Sequence, residues 1–421
     1  MKVKINNIYR NFDKKYRLKK NYLFKHLVNF SKIDSYPIHR WYRYVEGFSP
    51  KLVSELFDYL NINKKQSTVF DPFSGCGTTL LVAKKMGMKS IGFETNPFAY
   101  FLSKVKSENY SLKDIKSIEK FQIPKFYNIP KVEKKYELKI TKNLFSKRNL
   151  IKIEILKKFI NQTNKKKLRD ILFLNLLTCL PEVSKYKKAG NGIKRKKKFT
   201  ELDLFKCFSK NLEKIKQDLK GEVSKTRPKI INDTCQNINN YNIGKVNISL
   251  FSPPYLNCFD PFEVYKIELW IGDFIKSYDE LRNKRIKGLT SHMNTDLNRK
   301  TENVHKTKLL KTILSHLSKQ KLWDKRLPKM IDLFFYEMHI FLKKLYECTS
   351  KNGYCIIIIG NSAYGGIPVA TDLLIAEQAE KNGFHVKEII ECRKNEASSQ
   401  QYKKIGNLIK YIRESIVILK K

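Results

Sequence analysis

Two segments far apart in this chain carry residue types suited to holding a ligand and positioning a reaction. In Asp71-Pro-Phe-Ser-Gly-Cys-Gly-Thr-Thr79, Gly75 and Gly77 lie in a turn that follows the apolar run Thr68-Val-Phe70 and opens a helix at Thr78. Lacking a Cβ, both glycines let the backbone turn tightly and approach a bound group, while the unpaired N–H groups of the helix start face the turn. For the glycines alone, an ordinary strand-to-helix connection is the alternative reading. Glu94 closes the next apolar run, Met88 to Phe93. An acid at the end of that second strand can accept both hydroxyls of an adenosine ribose; a solvated acid at a strand end is the alternative. The second segment, Ser252-Pro-Pro-Tyr255, places a hydroxyl before and an aromatic ring after two prolines. Proline fixes φ, so this loop is rigid, and its bland alternative is a turn that merely ends a strand.

These residues need elements to position them, and the apolar spacing supplies them. Leu52, Val53, Leu56, Phe57 and Leu60 recur at helical intervals just before the first segment. Helix, strand, glycine turn, helix and a strand with a terminal acid form the first half of a Rossmann-like sheet. From about residue 110 to 226 the pattern changes to lysine-rich helices, including Leu150–Ile160 and Lys167–Leu180, which read as a helical insert. Strands resume at Lys229–Ile231 and Val246–Phe251, the latter feeding Ser252. Residues 273–327 read as a second helical, polar and basic insert, followed by a helix over Lys329–Cys348. The unbroken apolar run in Tyr354–Ile359 predicts a strand buried on both faces. A helix over Thr371–Asn382 and strands Val386–Cys392 and Ser415–Leu419 complete the chain, with no internal repeat.

Composition narrows the partners. With 84 Lys and Arg against 40 Asp and Glu, the formal charge is +44, which points to a polyanion. A composition biased toward Lys, Asn and Ile is the alternative, but it explains Lys in place of Arg better than an excess of bases over acids. The eight cysteines include no Cys-x-x-Cys and no paired Cys/His spacing, so neither a metal site nor a disulfide framework is expected. No apolar run reaches membrane-spanning length, and Met1-Lys-Val-Lys4 is not followed by the apolar stretch of a signal peptide. A cytoplasmic protein without a membrane partner is the expectation.

Together, the glycine turn and the proline loop resemble motifs I and IV of the DNA amino-methyltransferases, which carry a methyl group from S-adenosyl-L-methionine to the exocyclic nitrogen of a base. The resemblance covers residues 45–108 and 228–272, and more loosely 352–420. It implies an α/β fold: a seven-stranded, Rossmann-like methyltransferase sheet with an antiparallel final strand and helical, basic inserts. Together with composition and periodicity, which alone mark the inserts, the plan is a basic N-terminal arm (1–35), a catalytic domain (36–109, 227–272 and 328–421), a helical basic insert that is a candidate DNA-recognition region (110–226) and a second helical insert (273–327); the resemblance assigns neither insert. It assigns Asp71, Phe73, Gly75 and Gly77 to the cofactor, with the methionine carboxylate at the turn, and adds Glu94 for the ribose. Asp233 falls where the family offers a carboxylate to the cofactor's adenine amino group; its alternative is a turn-forming residue before Thr234.

For catalysis, the resemblance implies that Ser252 and the Pro253 carbonyl accept hydrogen bonds from the target amino group, with Pro254 stiffening the loop and Tyr255 stacking on a base flipped from the duplex. Serine in place of aspartate leans toward N4 of cytosine over N6 of adenine. Carbon-5 chemistry needs a thiol in a Pro-Cys element, and this loop has none; Cys258 reads as small buried filler. Asp260 and Glu268 either orient the loop or start helices, and Asn361 is a pocket candidate.

The densest basic cluster, Lys185 to Lys198, includes Lys187, Lys188, Lys194, Arg195, Lys196, Lys197 and Lys198. Its glycines predict a loop between helices, suited to DNA phosphates, with a solvated charge run as the alternative. The leading expectation is a cytosine-N4 methyltransferase acting on double-stranded DNA, with a cognate restriction endonuclease as genetic partner. The competing ones are an N6-adenine enzyme, an RNA base methyltransferase, and a non-catalytic basic DNA-binding protein on a retained cofactor fold.

Overall fold

The computed structural model describes residues 2–29, 35–45, 47–123, 144–221, 226–395 and 404–421. Its centre is a mostly parallel sheet. In chain order its strands are β1 (Leu18–Lys20), β2 (Thr68–Asp71), β3 (Lys89–Phe93), β6 (Lys229–Ile231), β7 (Val246–Phe251), β8 (Thr349–Gly360), β11 (His385–Lys394) and β12 (Arg413–Lys420). Outside it lie two hairpins, β4 (Tyr186–Ala189) with β5 (Gly192–Arg195), and β9 (Ser362–Tyr364) with β10 (Ile367–Val369). The eight strands of the central sheet run in the order β1-β11-β12-β8-β7-β2-β3-β6, and β12 is antiparallel to both its neighbours. This is the expected α/β methyltransferase sheet with one strand more. The extra strand is β1, which pairs in parallel with β11 through Leu18↔Ile389, Lys19↔Ile390 and Lys20↔Glu391. Its sequence, Leu-Lys-Lys, is too short and too polar to announce a strand.

The strand runs explain the layering, because successive side chains point to opposite faces. In β8, Ile357 and Ile359 join the core under helices Leu327–Cys348 and Thr371–Lys381, whereas Ile356 and Ile358 join the core under helix Pro50–Tyr59. In β12, Val417 and Leu419 face the first of these cores, and Ile416 and Ile418 the second. Both faces are therefore covered, as a parallel sheet requires.

A third apolar cluster fills the region of the first insert. Helices Lys147–Asn161, Lys166–Val183 and Leu204–Leu219 share it with Trp41, Phe98, Leu102 and Trp270. Asp218, at the end of the last of these helices, accepts hydrogen bonds from the Ile38 N–H, the Arg40 guanidinium and the Trp41 indole, so the insert is tied to the sheet domain by a buried polar clasp. The N-terminal segment packs on the core: Ile5 and Tyr9 of helix Lys2–Lys15 are buried, and the Tyr9 hydroxyl donates to the Pro368 carbonyl. The second insert is only partly helical. Between helices Tyr278–Arg285 and Lys308–Leu317 lies a largely irregular stretch whose Leu289 to His292 are buried. Among the described residues no helix is long and apolar enough to cross a membrane.

Candidate functional site

The chain order reverses at β2: one half of the sheet runs from β2 to β3 and β6, the other through β7 to β8. Ligands in such sheets bind outside the carboxyl ends of the strands at this switch point. There, the turn after β2, Glu94 after β3 and the loop after β7 converge on one open cleft of about 1200 Å3, solvent space included.

The glycine turn is held in shape by two acids. Gly75 and Gly77 adopt φ of +50° and +84°, which side-chain-bearing residues rarely do. A Cβ on Gly77 would also sit 2.4 Å from the Ser103 hydroxyl, so glycine there serves close packing on helix Pro97–Ser107. Asp71, buried at the end of β2, accepts from the Phe73 N–H at 3.1 Å. Glu94 accepts from the Gly75 N–H at 2.7 Å and the Asn96 N–H at 2.8 Å, bridging the two strand ends. Burial pushes both carboxyls up to about 7, against the hydrogen bonds that hold them down. Phe73, Gly75 and Glu94 line the cleft, whereas Asp71 and Gly77 stand behind it.

Asp233 departs from the expected arrangement. Its carboxylate accepts from the Thr234 N–H, the Asn237 amide and the Tyr241 hydroxyl, all of its own segment, and it is absent from the cleft wall. Burial would raise its pKa, but these donors outweigh it and hold the group below its ordinary value. The geometry is that of the turn-forming alternative, and the neighbours Thr234 and Cys235 face the cleft instead.

On the other side, Ser252, Pro253, Pro254 and Tyr255 all line the cleft. Among the described residues the Ser252 hydroxyl has no hydrogen-bond partner, and Ser252 lines the cleft. The Tyr255 hydroxyl donates to Glu414 at 2.9 Å, and Glu414 in turn pairs with Arg393. The ring lies against Gly360, where a Cβ would come within 2.9 Å of it. Ser252 and Tyr255 also border a second, polar cavity with Arg393, Asn395 and Glu414.

Among the cleft residues, Tyr44 and His292 gave no signal in the sequence. Tyr44 lies 3.3 Å from where a Gly75 Cβ would be, and it stacks on Tyr265 with ring centroids 4.8 Å apart and planes 12° apart. The buried Glu268 below accepts from Tyr42 at 2.6 Å and pairs with Lys188 at 2.7 Å. Asp260 caps helix Pro261–Val264 through the Phe262 N–H, the helix-starting role, and pairs with Arg285. His292, also in the wall, is 4% exposed, and its Nδ1 lacks a partner among the described residues. Asn361 is not in the wall; it locks Asp372 and the Tyr411 carbonyl inside the core. Cys258 is partly buried against Met330 and Tyr364, and burial raises its thiol, consistent with filler.

The basic cluster is a hairpin and not a loop. Gly190, at φ +55°, supplies the tight turn that lets Lys187 pair with Lys194 and Lys188 with Ile193. Lys187, Lys194, Arg195, Lys197 and Lys198 are exposed. Lys188 is turned inward onto Glu268, and Lys196 donates to the Pro181 and Glu182 carbonyls at the end of helix Lys166–Val183, so neither ammonium is free for phosphate.

The cleft suits an adenosine-bearing cation: a glycine cradle that a Cβ would crowd and, in its wall, the Glu94 carboxyl, pushed up to about 7 by burial. Residues 10–105 match the DNA methylase family model of the N6/N4 type. The chain is 25% identical over 422 residues to type II methyltransferase M.AvaI of Nostoc sp., covering 90% of this chain and 86% of that protein. It is 26% identical over 457 residues to type II methyltransferase M.BsoBI of Geobacillus stearothermophilus, covering 94% and 88%. A shorter match, 33% over 82 residues, reaches M.MjaII of Methanocaldococcus jannaschii and covers 19% of this chain and 15% of that protein. Switch-point cleft, glycine turn, Ser-Pro-Pro-Tyr loop and the match over residues 10–105 agree in one likeness: the chain is similar to S-adenosylmethionine-dependent DNA amino-methyltransferases of the N4/N6 type.

Proposed function

We propose that this enzyme methylates the exocyclic N4 of cytosine in duplex DNA, as the modification arm of a type II restriction system with a cognate endonuclease as its genetic partner. The observation that carries the choice of base is serine, in place of aspartate, at position 252 in the cleft wall at the head of the proline loop. When bound, S-adenosylmethionine supplies an electrophilic methyl group on a sulfonium. In this reading Phe73, Gly75 and Glu94 hold it directly, Asp71 and Gly77 shape the turn, and Thr234 and Cys235 wall the adenine end. The target amino group is a poor nucleophile, because its lone pair is delocalised into the ring. Ser252 and the Pro253 carbonyl accept its two N–H bonds, turning the lone pair out of conjugation and toward the donor. Preorganised acceptors of this kind stabilise the positive charge that grows on nitrogen without reorganising during the step. Tyr255, fixed by Glu414, stacks on the base once it has left the helix.

The type II relatives, matched over 86% and 88% of their lengths, support the restriction-modification assignment. Nucleoside mass spectrometry of DNA from cells expressing the chain tests the base, and methylation-sensitive sequencing gives the recognition sequence. N4-methylcytosine is expected. N6-methyladenine alone would overturn the reading of Ser252 while leaving cleft and cofactor in place; 5-methylcytosine would contradict the loop chemistry altogether.

A further inference from the structure

A two-stranded ribbon stands at the mouth of the cleft. The β4–β5 hairpin turns at Gly190-Asn191, both exposed, and the Asn191 amide lies 3.5 Å from the carbonyl of Asn257, just beyond Tyr255. One face of it is fixed separately: the Lys188 ammonium pairs with buried Glu268 and sits 4.3 Å from the centroid of the Tyr265 ring. One residue farther from the turn, exposed Lys187 is directly opposite exposed Lys194. Like charges in register across an antiparallel pair destabilise the hairpin, so this placement costs stability unless an anion lies between them. A ribbon of this width fits the major groove, and an asparagine amide can both donate to and accept from a base edge.

Resting on the reading that the substrate is duplex DNA, we propose that this ribbon enters the duplex beside the flipped base. Lys187 and Lys194 straddle a backbone phosphate, and Asn191 hydrogen-bonds the base left without its partner. Extrusion costs a few kcal/mol of pairing and stacking, and an occupant of the gap holds the open state against reclosure.

Once sequencing has identified the target base, single-turnover methyl transfer is measured on a fully paired duplex and on one with an abasic site opposite that base. Asn191→Ala should slow transfer on the paired duplex about tenfold while matching the wild type within about twofold on the abasic one, where extrusion is cheap and no orphan base remains. An equal loss on both substrates, or no loss on the paired one, overturns the proposal. Because Asn191 is exposed, the variant should melt as the wild type does. Lys187→Gln should raise the melting temperature of the free protein yet weaken DNA binding and reduce the salt slope by about 1; a variant that stabilises without weakening binding removes the phosphate. Absence of any transfer to DNA by the wild type would refute the functional reading itself, whereas a defect that the abasic duplex does not rescue refutes the ribbon alone.

Discussion

The Tyr255 hydroxyl and the Glu414 carboxylate are joined by a 2.9 Å hydrogen bond between the proline loop and the last strand of the chain. The ring that faces the cleft is thereby held from behind by a buried acid, itself paired with Arg393. Tyr255→Phe keeps the ring and loses only this tether, so kcat/KM should fall about tenfold, as for one hydrogen bond to a charged group. Tyr255→Ala removes the stacking surface as well and should lose more than about 100-fold. Near-normal turnover by the alanine variant would dismiss the stacking role.

Ser252→Ala deletes one preorganised acceptor and should lower kcat by about 100-fold or more, with cofactor affinity within a few fold of the wild type. Single-turnover rates and calorimetric titration separate the two quantities. A comparable loss of cofactor affinity would place Ser252 on the donor and not on the base.

The pH dependence of cofactor binding follows from the raised carboxyls of Asp71 and Glu94, both near 7 through burial. An acid with a folded pKa above its unfolded value of about 4 holds more protons when folded. The free protein therefore loses stability as pH rises from about 4 to about 7. Ribose hydroxyls and a cationic ligand favour the ionised acids, so affinity should rise over the upper part of that interval. Glu94→Gln should bind more weakly at pH 8 and show a shallower pH profile. A wild-type dissociation constant that is flat between about pH 5.5 and 8.5 would contradict this.

Replacing exposed Lys194, Arg195, Lys197 and Lys198 by glutamine should weaken DNA binding equally for all sequences, because phosphate contacts carry no base information. Each lost contact reduces the slope of log affinity against log salt by about 0.9. Filter binding over a salt series reads it, and an unchanged slope would return these side chains to a solvated surface.

Lys188→Met strands Glu268, 0% exposed, without its cation and should cost about 3–5 kcal/mol of stability. Pairing it with Glu268→Leu should recover much of that loss. Thermal melts of the two variants decide; equal losses would mean that the acid is not charged in the fold.

Elements with strong local periodicity were legible in the sequence, and long-range partners were not. The apolar run around Ile356–Ile359 and the helix before Cys348 are specified by their own neighbours. The glycine turn and proline loop were readable because few backbones accept those residue strings. Strand β1 was missed because its pairing depends on residues 389–391 and not on its own Leu-Lys-Lys. The basic hairpin was read as a loop because lysines dominate it and the inward Lys188 is indistinguishable from its exposed neighbours until Glu268 is beside it. Asp233 shows the same limit: an acid after a strand looks alike whether it faces a ligand or its own turn.

The pairing of β1 with β11 sets the order in which a newly made chain can become complete. While the ribosome is still adding residues, the glycine turn and its flanking strands can already assemble, but the first strand has no neighbour until residues 389–391 emerge. Glu414, which steadies Tyr255, arrives later still. Non-local contacts of this span form late and leave apolar surface uncovered in the meantime. A chain that ends before residue 413 lacks β12, which lies between β11 and β8, so it loses the acid that steadies Tyr255 together with the strand that joins β1 and β11 to the rest of the sheet.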